Sequence, residues 1–365
     1  MASNNKKRIG WKEFLLSLFL IVVLWAAQEC FNIDLLNPPA AIESEPTGEI
    51  RVLFTAPVYP DEGVHRGGID ERLAAAIDAA TTRVDVAAFD LDLETVTEAL
   101  IRADQRGVNV RLVTDEDYAD ELGPERLQDA GVTVVLDGRE PFMHNKFVVI
   151  DGAQVWTGAW NLTANGTYRN NNNVLVIDSE KLAENYTAEF EEMFEEKKFG
   201  VTSPENTPHP RLEIGEVLVE TYFESEGNVR ERIIELVEDA ESNVYFMAFA
   251  FTDNDIAQAM VRQHRAGLAV RGVIEGRNVN GLGSDFEPMK TAGVDVLADG
   301  NPYVMHHKVI IIDEEIVVTG SYNFSASAAE SNDENVLIIH SPEIAAQYMS
   351  EFRRVYQKAQ SEEAE

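Results

Sequence analysis

The chain has 365 residues, 45% of them hydrophobic, and its 64 acidic residues outnumber 30 basic ones to give a formal net charge of −34. This length and composition are enough for one large or two ordinary domains with a sizeable core. A surface this acidic repels the phosphates of nucleic acids and anionic lipids at long range, which argues against a protein that coats nucleic acid. The single cysteine, Cys30, excludes an internal disulfide and a metal site built from cysteines.

The N-terminus combines a basic stretch with an apolar one. Residues 6–8 are Lys-Lys-Arg, and the run Phe14–Ala27 that follows carries no charge. This order is typical of an export signal, and the run is short for a full membrane span, which takes about 20 apolar residues. We therefore expect residues 1–30 to form a cleaved signal peptide or an uncleaved signal anchor. Residues 31–48, which include three prolines, are expected to be a tether, so that the protein is exported or membrane-anchored on the extracytoplasmic side.

Residues 49–199 alternate predicted strands with predicted helices whose apolar residues recur at helical spacing. The elements in chain order are a strand at 51–55, a helix at 69–80, an apolar strand at 84–89, a helix that ends near Gly107, a strand at 109–114, a short helix, a strand at 132–136, a strand pair at 146–150 and 155–157, a strand at 173–177 and a helix at 180–197. The proline-containing stretch 200–212 predicts a surface linker.

Residues 213–359 repeat this order. The matching elements lie at 216–221, 229–240, 244–251, a helix that ends near Gly267, 269–275, 294–297, 309–312, 316–319, 335–339 and 342–358. Residues 360–365 are expected to be a frayed acidic tail.

The sequence itself repeats. Met-His-Asn-Lys at 143–146 recurs as Met-His-His-Lys at 305–308, and each later matched pair is also 162 residues apart. These pairs are Asp151 and Asp313, Gly158 and Gly320, Asn161 and Asn323, and Asn173 and Asn335. Matched residues further upstream are 160 apart, which places a two-residue insertion near 281–283. The pattern predicts an α/β fold with two tandem repeats, each a mixed sheet flanked by helices, packed with pseudo-twofold symmetry.

The repeated residues indicate one shared anion site. Alternate residues of a strand point to the same face, so His144 and Lys146 face one way, as do His306 and Lys308. If the two repeats meet about a twofold axis, two imidazoles, two ammonium groups and two asparagine amides surround one cavity. Such a cavity suits a phosphodiester, whose transfer needs charge stabilisation, in-line attack and protonation of the leaving group. The lysines oppose cation binding, so no metal or other cofactor is expected.

These residues resemble the signature of the phospholipase D superfamily, His-x-Lys-x4-Asp-x6-Gly-Ser-x-Asn, present twice. The second copy matches in full at His306, Lys308, Asp313, Gly320, Ser321 and Asn323. The first copy matches at His144, Lys146, Asp151, Gly158 and Asn161, and departs from the signature at Ala159. The resemblance runs from about residue 51 to residue 358.

The resemblance implies roles for the motif residues. One histidine forms a covalent phosphohistidine while the other protonates the leaving alcohol, and the order usual in the family makes His144 the nucleophile and His306 the acid. The lysines, Asn161, Asn323 and Ser321 would hold the phosphate oxygens.

The remaining motif positions would support these groups. Asp151 and Asp313 complete the catalytic motif but are expected to be structural, each at the turn after its strand and paired with nearby groups. Gly158 and Gly320 support the following asparagines.

A downstream carboxylate often holds the nucleophile's ring in this family. Glu334 is placed for that role in the second copy, where the first has Asn172. Because Asn cannot stabilise an imidazolium as a carboxylate does, the first half-site is expected to be the weaker one.

The first hypothesis is an enzyme that hydrolyses phospholipids at a membrane surface. The alternatives are a nuclease acting on single-stranded nucleic acid, a phosphatidyl transferase of the cardiolipin synthase type, and a phosphate-binding relic without activity. The net acidity argues against the nuclease. A monomer is expected because one chain carries both motifs. His307 is expected to be a packing or surface residue, and Phe89 and Phe249 to be core or cavity wall.

Overall fold

Two helix-flanked sheets, one from each half of the chain, carry the fold. The computed structural model describes residues 43–45, 48–61, 63 and 65–363. The expected signal segment, 1–30, and most of the expected tether, 31–48, lie outside the described residues. Among the described residues, no helix is both long and apolar enough to cross a bilayer.

The first sheet has seven strands, in the order β2-β9-β7-β6-β3-β4-β5. Its strands are β2 Glu49–Phe54, β3 Arg83–Ala88, β4 Asn109–Thr114, β5 Thr133–Leu136, β6 Lys146–Ile150, β7 Gln154–Gly158 and β9 Asn173–Asp178. The β3-β4-β5 pairs are parallel and the others antiparallel. The sheet is therefore mixed, as predicted.

The second sheet repeats this order within nine strands, β1-β10-β11-β18-β17-β16-β12-β13-β14. Its strands are β1 Glu43–Glu45, β10 Arg211–Ile214, β11 Val217–Phe223, β12 Asn243–Ala248, β13 Ala269–Ile274, β14 Asp295–Ala298, β16 Lys308–Ile312, β17 Ile316–Gly320 and β18 Asn335–His340. The predicted duplication is confirmed, since the last seven strands of this order match the first sheet one for one.

The two outermost strands at one side of the second sheet fall where the sequence predicted a tether and a linker. β1 belongs to the expected tether and pairs in parallel with β10, whose first residues belong to the expected linker 200–212. β10 in turn forms a hairpin with β11. The extra strands therefore cover an edge that the duplicated pattern alone would leave open.

Ten α-helices are described. They are α1 Ile69–Ala79, α2 Glu94–Gln105, α3 Leu122–Ala130, α4 Ala164–Tyr168, α5 Glu180–Glu191, α6 Val229–Glu238, α7 Asn254–Ala266, α8 Phe286–Thr291, α9 Ala326–Glu330 and α10 Pro342–Glu363. α5 continues as a π-helical turn, Glu192–Glu196. α10 runs through residues 360–363, so that part of the predicted frayed tail is helical instead.

The two faces of each sheet pack into different cores because strand side chains alternate. In β6, Phe147 and Val149 belong to a central core shared by both repeats, while Val148 and Ile150 belong to an outer core of the first repeat. The buried faces of α5 and α10 fill the central core, and α6 and α7 cover the outer face of the second sheet. Both repeats belong to one compact unit.

Candidate active site

The two His-x-Lys segments enter the sheets at equivalent places. Lys146 begins β6 opposite Ala88 of β3, and Lys308 begins β16 opposite Ala248 of β12. Each motif histidine lies just before its strand. The register of the two sheets therefore places both motifs at the same end of equivalent strands.

The backbone of each motif histidine is tied to the opposite repeat. The N–H of His144 donates to the carbonyl of Asp333 at 3.0 Å, and the N–H of His306 donates to the carbonyl of Asn171 at 2.9 Å. Beside His306, the short strands β8 Asn170–Asn171 and β15 Val304–Met305 pair in parallel across the repeats. The two half-sites consequently meet at the repeat interface.

An aromatic ring backs each histidine and lysine pair. The Phe89 ring centroid lies 4.8 Å from that of His144, and the Lys146 Nζ lies 4.7 Å from the same Phe89 centroid. Phe249 does the same in the second repeat, with its histidine at 4.7 Å and its lysine at 4.9 Å. Both phenylalanines are therefore walls of the site, one of the two roles expected for them.

The site is recessed. His144 is 6% exposed and His306 8%, while Lys146 and Lys308 are 4% and 1% exposed. The lysine Nζ atoms donate to the carbonyls of their own motif histidines, at 2.8 Å for Lys146 and 3.2 Å for Lys308. A charged group in such a dry site interacts far more strongly than in water.

Glu334 holds His144 across the repeat interface. The His144 Nδ1 lies 2.8 Å from each carboxylate oxygen, Ser321 Oγ donates to the same carboxylate at 2.5 Å, and Asn332 Nδ2 donates at 3.2 Å. Since all three partners can donate, the carboxylate acts as an acceptor and Nδ1 of His144 carries the proton. His144 Nε2 then carries no proton, and its lone pair is free. The expectation that Glu334 serves the second copy's own histidine is wrong, because the twofold packing brings its strand to the other repeat.

His306 is held by neutral acceptors. Its Nδ1 lies 3.0 Å from both the carbonyl oxygen of Ala159 and the side-chain oxygen of Asn172. Its Nε2 lies 3.2 Å from the Lys308 Nζ. The half-site without a carboxylate is therefore that of His306, so the reason for expecting a weaker first half-site does not hold.

Burial and mutual repulsion disfavour positive charge on the histidines and lysines of the site. Burial first, and then the lysine charges, lower the pKa of His144 and of His306 well below the usual value. Burial and the charge of Lys146 also lower the pKa of Lys308 well below its usual value. Burial lowers the pKa of Lys146 to about 7, although nearby carboxylates oppose the shift. An anion in the cavity would reverse these shifts, so anion binding and proton uptake are coupled.

The predicted phosphate ligands fall into two groups. The side-chain oxygens of Asn161 and Asn323 are buried and have no hydrogen-bond partner among the described residues. An amide oxygen only accepts hydrogen bonds, so the groups that could hold a phosphate oxygen are the amide NH₂ groups of the same two side chains. Ser321 is already engaged, because its Oγ donates to Glu334 and accepts the N–H of Asn335 at 3.0 Å. The structure thus places Ser321 behind the carboxylate that holds His144, and not among free phosphate ligands.

The glycines of the motif are required by close packing. Gly158 and Gly320 have φ values of 148° and 156°. A Cβ atom there would collide with the carbonyl oxygen of Asn173 or Asn335 on the next strand. Both glycines therefore let β7 and β17 turn towards the site against their neighbours.

Asp151 and Asp313 do not reach the cavity. Asp151 accepts the backbone N–H groups of residues 81–83 at 2.7 to 3.2 Å, and Asp313 accepts those of residues 241–243 at 2.7 to 3.0 Å. Each stands at the far end of the strand that its motif lysine begins, roughly 16 Å away at about 3.3 Å per residue. They belong to the motif without touching the cavity: as expected of them, they are structural and fasten a helix–strand junction to the turn after the motif strand.

A second layer of residues escaped the sequence analysis. Asp115 accepts the N–H of Met143 at 2.9 Å, and Glu275 accepts that of Met305 at 2.7 Å. These carboxylates are 160 residues apart, so the internal repeat was the signal that could have found them. They fix the backbone immediately before each motif histidine.

His307 belongs to a buried network between the repeats. Its Nδ1 lies 3.0 Å from the side-chain oxygen of Asn173 and its Nε2 lies 2.9 Å from Glu351. At the matching place in the first repeat, Asn145 contacts Glu189 at 3.2 Å and accepts from Asn335 at 2.9 Å. The packing role expected for His307 fits this arrangement. The network links the residues next to the two motif histidines across the repeats.

Asp90, which interacts electrostatically with Lys146, makes the two half-sites chemically different. It lies two residues beyond Ala88, the partner of Lys146, and its Oδ1 is buried without a hydrogen-bond partner among the described residues. Burial, with the charges of Asp92 and Glu121, raises its pKa to about 7. The second repeat has alanine at the matching position, 250. The first half-site alone therefore carries this additional carboxyl group.

Within the described part of the chain, no three His, Cys, Asp or Glu side chains cluster in a way that could hold a metal ion.

Comparison with known proteins agrees with this architecture. The family model described as "Cardiolipin synthase, PLD-like domain" matches residues 73–194 and 233–356. A protein named phospholipase D from Rickettsia prowazekii (strain Madrid E) is 30% identical over 160 residues, which cover 44% of this chain and 78% of that protein. A mitochondrial cardiolipin hydrolase of Xenopus tropicalis is 33% identical over 127 residues, or 35% of this chain and 60% of that protein.

A solved structure shares the two-repeat fold. The phosphatidylserine synthase of Haemophilus influenzae Rd KW20 superposes with a TM-score of 0.60 over 85% of both chains, at 13% sequence identity. At that identity the likeness concerns the fold alone.

Proposed function

Because this chain belongs to the phospholipase D superfamily, with two PLD-like domains that cover most of it, we propose that it hydrolyses phospholipids at a membrane surface by way of a covalent phosphohistidine. One observation carries the proposal. Two histidines with differently held rings share a recessed site with two lysines, and only His144 is backed by a carboxylate, Glu334. A nucleophile and a proton donor need such different environments.

His144 is the nucleophile in this proposal. Its Nδ1–H is donated to Glu334, so Nε2 is bare and attacks phosphorus as the bond from phosphorus to the leaving oxygen breaks. The ring becomes a positively charged phosphohistidine, which the carboxylate stabilises. Lys146 and Lys308 balance the charge that develops on the phosphate oxygens.

His306 is the acid and then the base. When the anionic substrate binds, its Nε2 takes up a proton and gives it to the leaving alcohol. The neutral ring then accepts a proton from water, whose oxygen attacks phosphorus and breaks the bond to His144. His306 releases this proton to solvent as the product leaves, which returns the proton taken up on substrate binding and restores both histidines to their starting state. The carbonyl of Ala159 keeps the His306 Nδ1 protonated throughout.

Three observations support a lipid substrate. The named relatives are a phospholipase D and a cardiolipin hydrolase. The net charge of −34 disfavours a long nucleic acid, which brings many phosphates to the surface at once, more than it disfavours a single lipid headgroup. The basic stretch at 6–8 and the apolar run Phe14–Ala27 fit export or membrane anchoring. We propose the extracytoplasmic side of a membrane as its location, and a monomer as its state because one chain carries both motifs.

The test compares substrates and variants of the full chain in detergent micelles, without added metal. Mixed phospholipid vesicles are compared with single-stranded oligonucleotides, using wild type, His144→Ala and His306→Ala, with His264→Ala as a matched histidine control. We expect release of headgroup alcohol from the lipids, its loss in both motif variants and its retention in the control. Cleavage of oligonucleotides with inert lipids would replace the proposal by a nuclease.

Location is tested separately. Cell fractionation of the full chain and of a variant that lacks residues 1–30 should show the first with the membrane or outside the cell, and the second in the cytoplasm. The same distribution for both chains would refute the role of the N-terminal segment.

A further inference from the structure

The charged residues around the pseudo-twofold site differ between its His144 side and its His306 side. Beside His306 lies a pocket of about 290 Å³. Its lining includes Asn165, Arg169, Asn170, Arg277, Tyr303 and Val304. A cationic pocket is unusual on a chain with a net charge of −34.

The pocket adjoins the catalytic groups through the backbone. Val304 lines it two residues before His306, about 7 Å along an extended chain. Asn170 lines the pocket as well, and its neighbour Asn171 accepts the N–H of His306 at 2.9 Å. The pocket therefore lies on the His306 side of the cavity.

Both arginines are held in place while donor groups remain available. Arg169 donates from Nε to Asp61 at 2.7 Å and from Nη1 to Asn165 at 2.8 Å, and its side chain is 42% exposed. Arg277 has its Nε 3.2 Å from Glu275 and donates from Nη2 to the carbonyl of Tyr303, with 64% of the side chain exposed. Arg169 Nη2 and Arg277 Nη1 make no hydrogen bond with a described residue. Such anchored guanidinium groups are suited to hold a phosphate.

The opposite side of the site lacks these cations. The internal repeat relates Arg169 to Ser331 and Arg277 to Asp117. The first half also carries the carboxyl group of Asp90, where the second has alanine. The His144 side has an arginine too, but Arg139 donates to Asp333, Phe142 and Ser331, whereas Arg169 and Arg277 on the His306 side keep exposed guanidinium groups.

We propose that the pocket formed by Arg169 and Arg277 binds a second phosphate carried by the leaving alcohol, so that the preferred substrate is a phospholipid with a phosphate in its headgroup. The inference rests on the proposed function, which makes His306 the proton donor to the leaving group. In-line attack from His144 directs the leaving alcohol towards His306 and hence towards the pocket. A phosphate on that alcohol pairs with both arginines, whereas a neutral or cationic headgroup does not.

The kinetic test uses two lipids that share the glycerol link and differ in the second phosphate, cardiolipin and phosphatidylglycerol, in otherwise identical vesicles. The full chain is compared with Arg277→Gln, Arg169→Gln and the control Arg262→Gln, whose arginine pairs with Glu238 on the surface. We expect wild type to prefer cardiolipin in kcat/KM. The preference should fall about tenfold in each pocket variant, as for loss of a charge-assisted hydrogen bond, and should persist in the control. An unchanged ratio in both pocket variants overturns the proposal.

A binding test separates this inference from the proposed function. Titration calorimetry measures glycerol 3-phosphate and glycerol against each variant, and hydrolysis of bis(p-nitrophenyl) phosphate reports general phosphodiesterase activity. Glycerol 3-phosphate that binds only when both arginines are present supports the pocket, even if all lipids prove inert and the proposed function fails. Equal binding in wild type and both pocket variants overturns it. If a dinucleotide with a terminal phosphate shows the arginine-dependent preference while lipids stay inert, the lipid substrate class is refuted.

Discussion

Replacing Glu334 by glutamine tests the central asymmetry of the site. The carboxylate accepts from three donors, His144 Nδ1, Ser321 Oγ and Asn332 Nδ2. Glutamine keeps the shape but has one acceptor oxygen and an NH₂ group, so at least one of these donors loses its partner. If the NH₂ group faces His144, the imidazole proton moves to Nε2 and blocks attack. The variant also leaves the charged phosphohistidine without its counter-ion.

The expected loss in kcat/KM is about 10²- to 10³-fold. Hydrogen bonds to charged groups contribute about 1.5–3 kcal/mol, and the unfavourable tautomer adds to this loss, with each 1.4 kcal/mol worth tenfold. The mirror variant, Asn172→Ala, should cost less than tenfold. His306 Nδ1 keeps a second acceptor there, the carbonyl of Ala159 at 3.0 Å.

The assay is steady-state hydrolysis of a soluble phosphodiester, combined with rapid quenching to trap the phosphohistidine. Glu334→Gln should lower the amount of trapped intermediate, while Asn172→Ala should leave it nearly unchanged. Near-normal turnover in Glu334→Gln, or a larger loss in Asn172→Ala, would refute the assignment of the carboxylate to the nucleophile. A pH profile adds a further check. Burial raises the pKa of Glu334 to about 7, so wild-type kcat/KM should fall as the pH drops through 7, and this limb should vanish in the variant.

Three further predictions follow from the contacts of the site. Asp313→Ala should lower the free energy of unfolding by about 1–3 kcal/mol, because the hydrogen bonds of its partly exposed turn to residues 241–243 are lost. Most turnover per folded molecule should be retained below the melting temperature. Urea unfolding and kinetics at low temperature check this, and loss of turnover in folded protein would contradict it. Asp90→Asn should raise the melting temperature more at pH 8 than at pH 5. The pKa of the Asp90 carboxyl group is raised to about 7, so the stability of the folded state falls as the pH rises towards 7 and the carboxyl group ionises. Equal gains in melting temperature at both pH values would argue against a raised pKa of Asp90. Vanadate binding at pH 7 should take up protons, because burial and the neighbouring positive charges lower the pKa values of His144, His306 and Lys308 and a bound anion opposes this. Calorimetry in two buffers of different ionisation enthalpy measures the uptake, and proton release would refute the coupling.

Much of the architecture could be predicted because matched residues recur at constant spacing, which indicates the duplication. The matched motifs at 143–146 and 305–308 predicted two equivalent mixed sheets, and the alternation of strand residues placed each His and Lys on one face. β1 and β10 were missed, since three or four residues carry too little periodicity to predict a strand, and their pairing depends on an edge that only the folded second sheet offers.

Residues that act across the repeat interface could not be assigned from spacing. Glu334 lies nearer to His306 along the chain, yet it holds His144, because the strand that follows it belongs to the interface between the sheets. Ser321 likewise turned out to serve this carboxylate. The difference between Arg277 and its counterpart, Asp117, was present in the sequence, but only the position of the pocket beside His306 gives it a meaning.

The sequence by itself determined the family, the two repeats and the chemical groups of the site. Those properties depend on residue identity and local periodicity, which the chain carries without regard to its fold. Only the tertiary structure decided which carboxylate serves which histidine and which side of the cavity is cationic. Both depend on the twofold packing of the repeats, which brings together groups as far apart in the chain as His144 and Glu334.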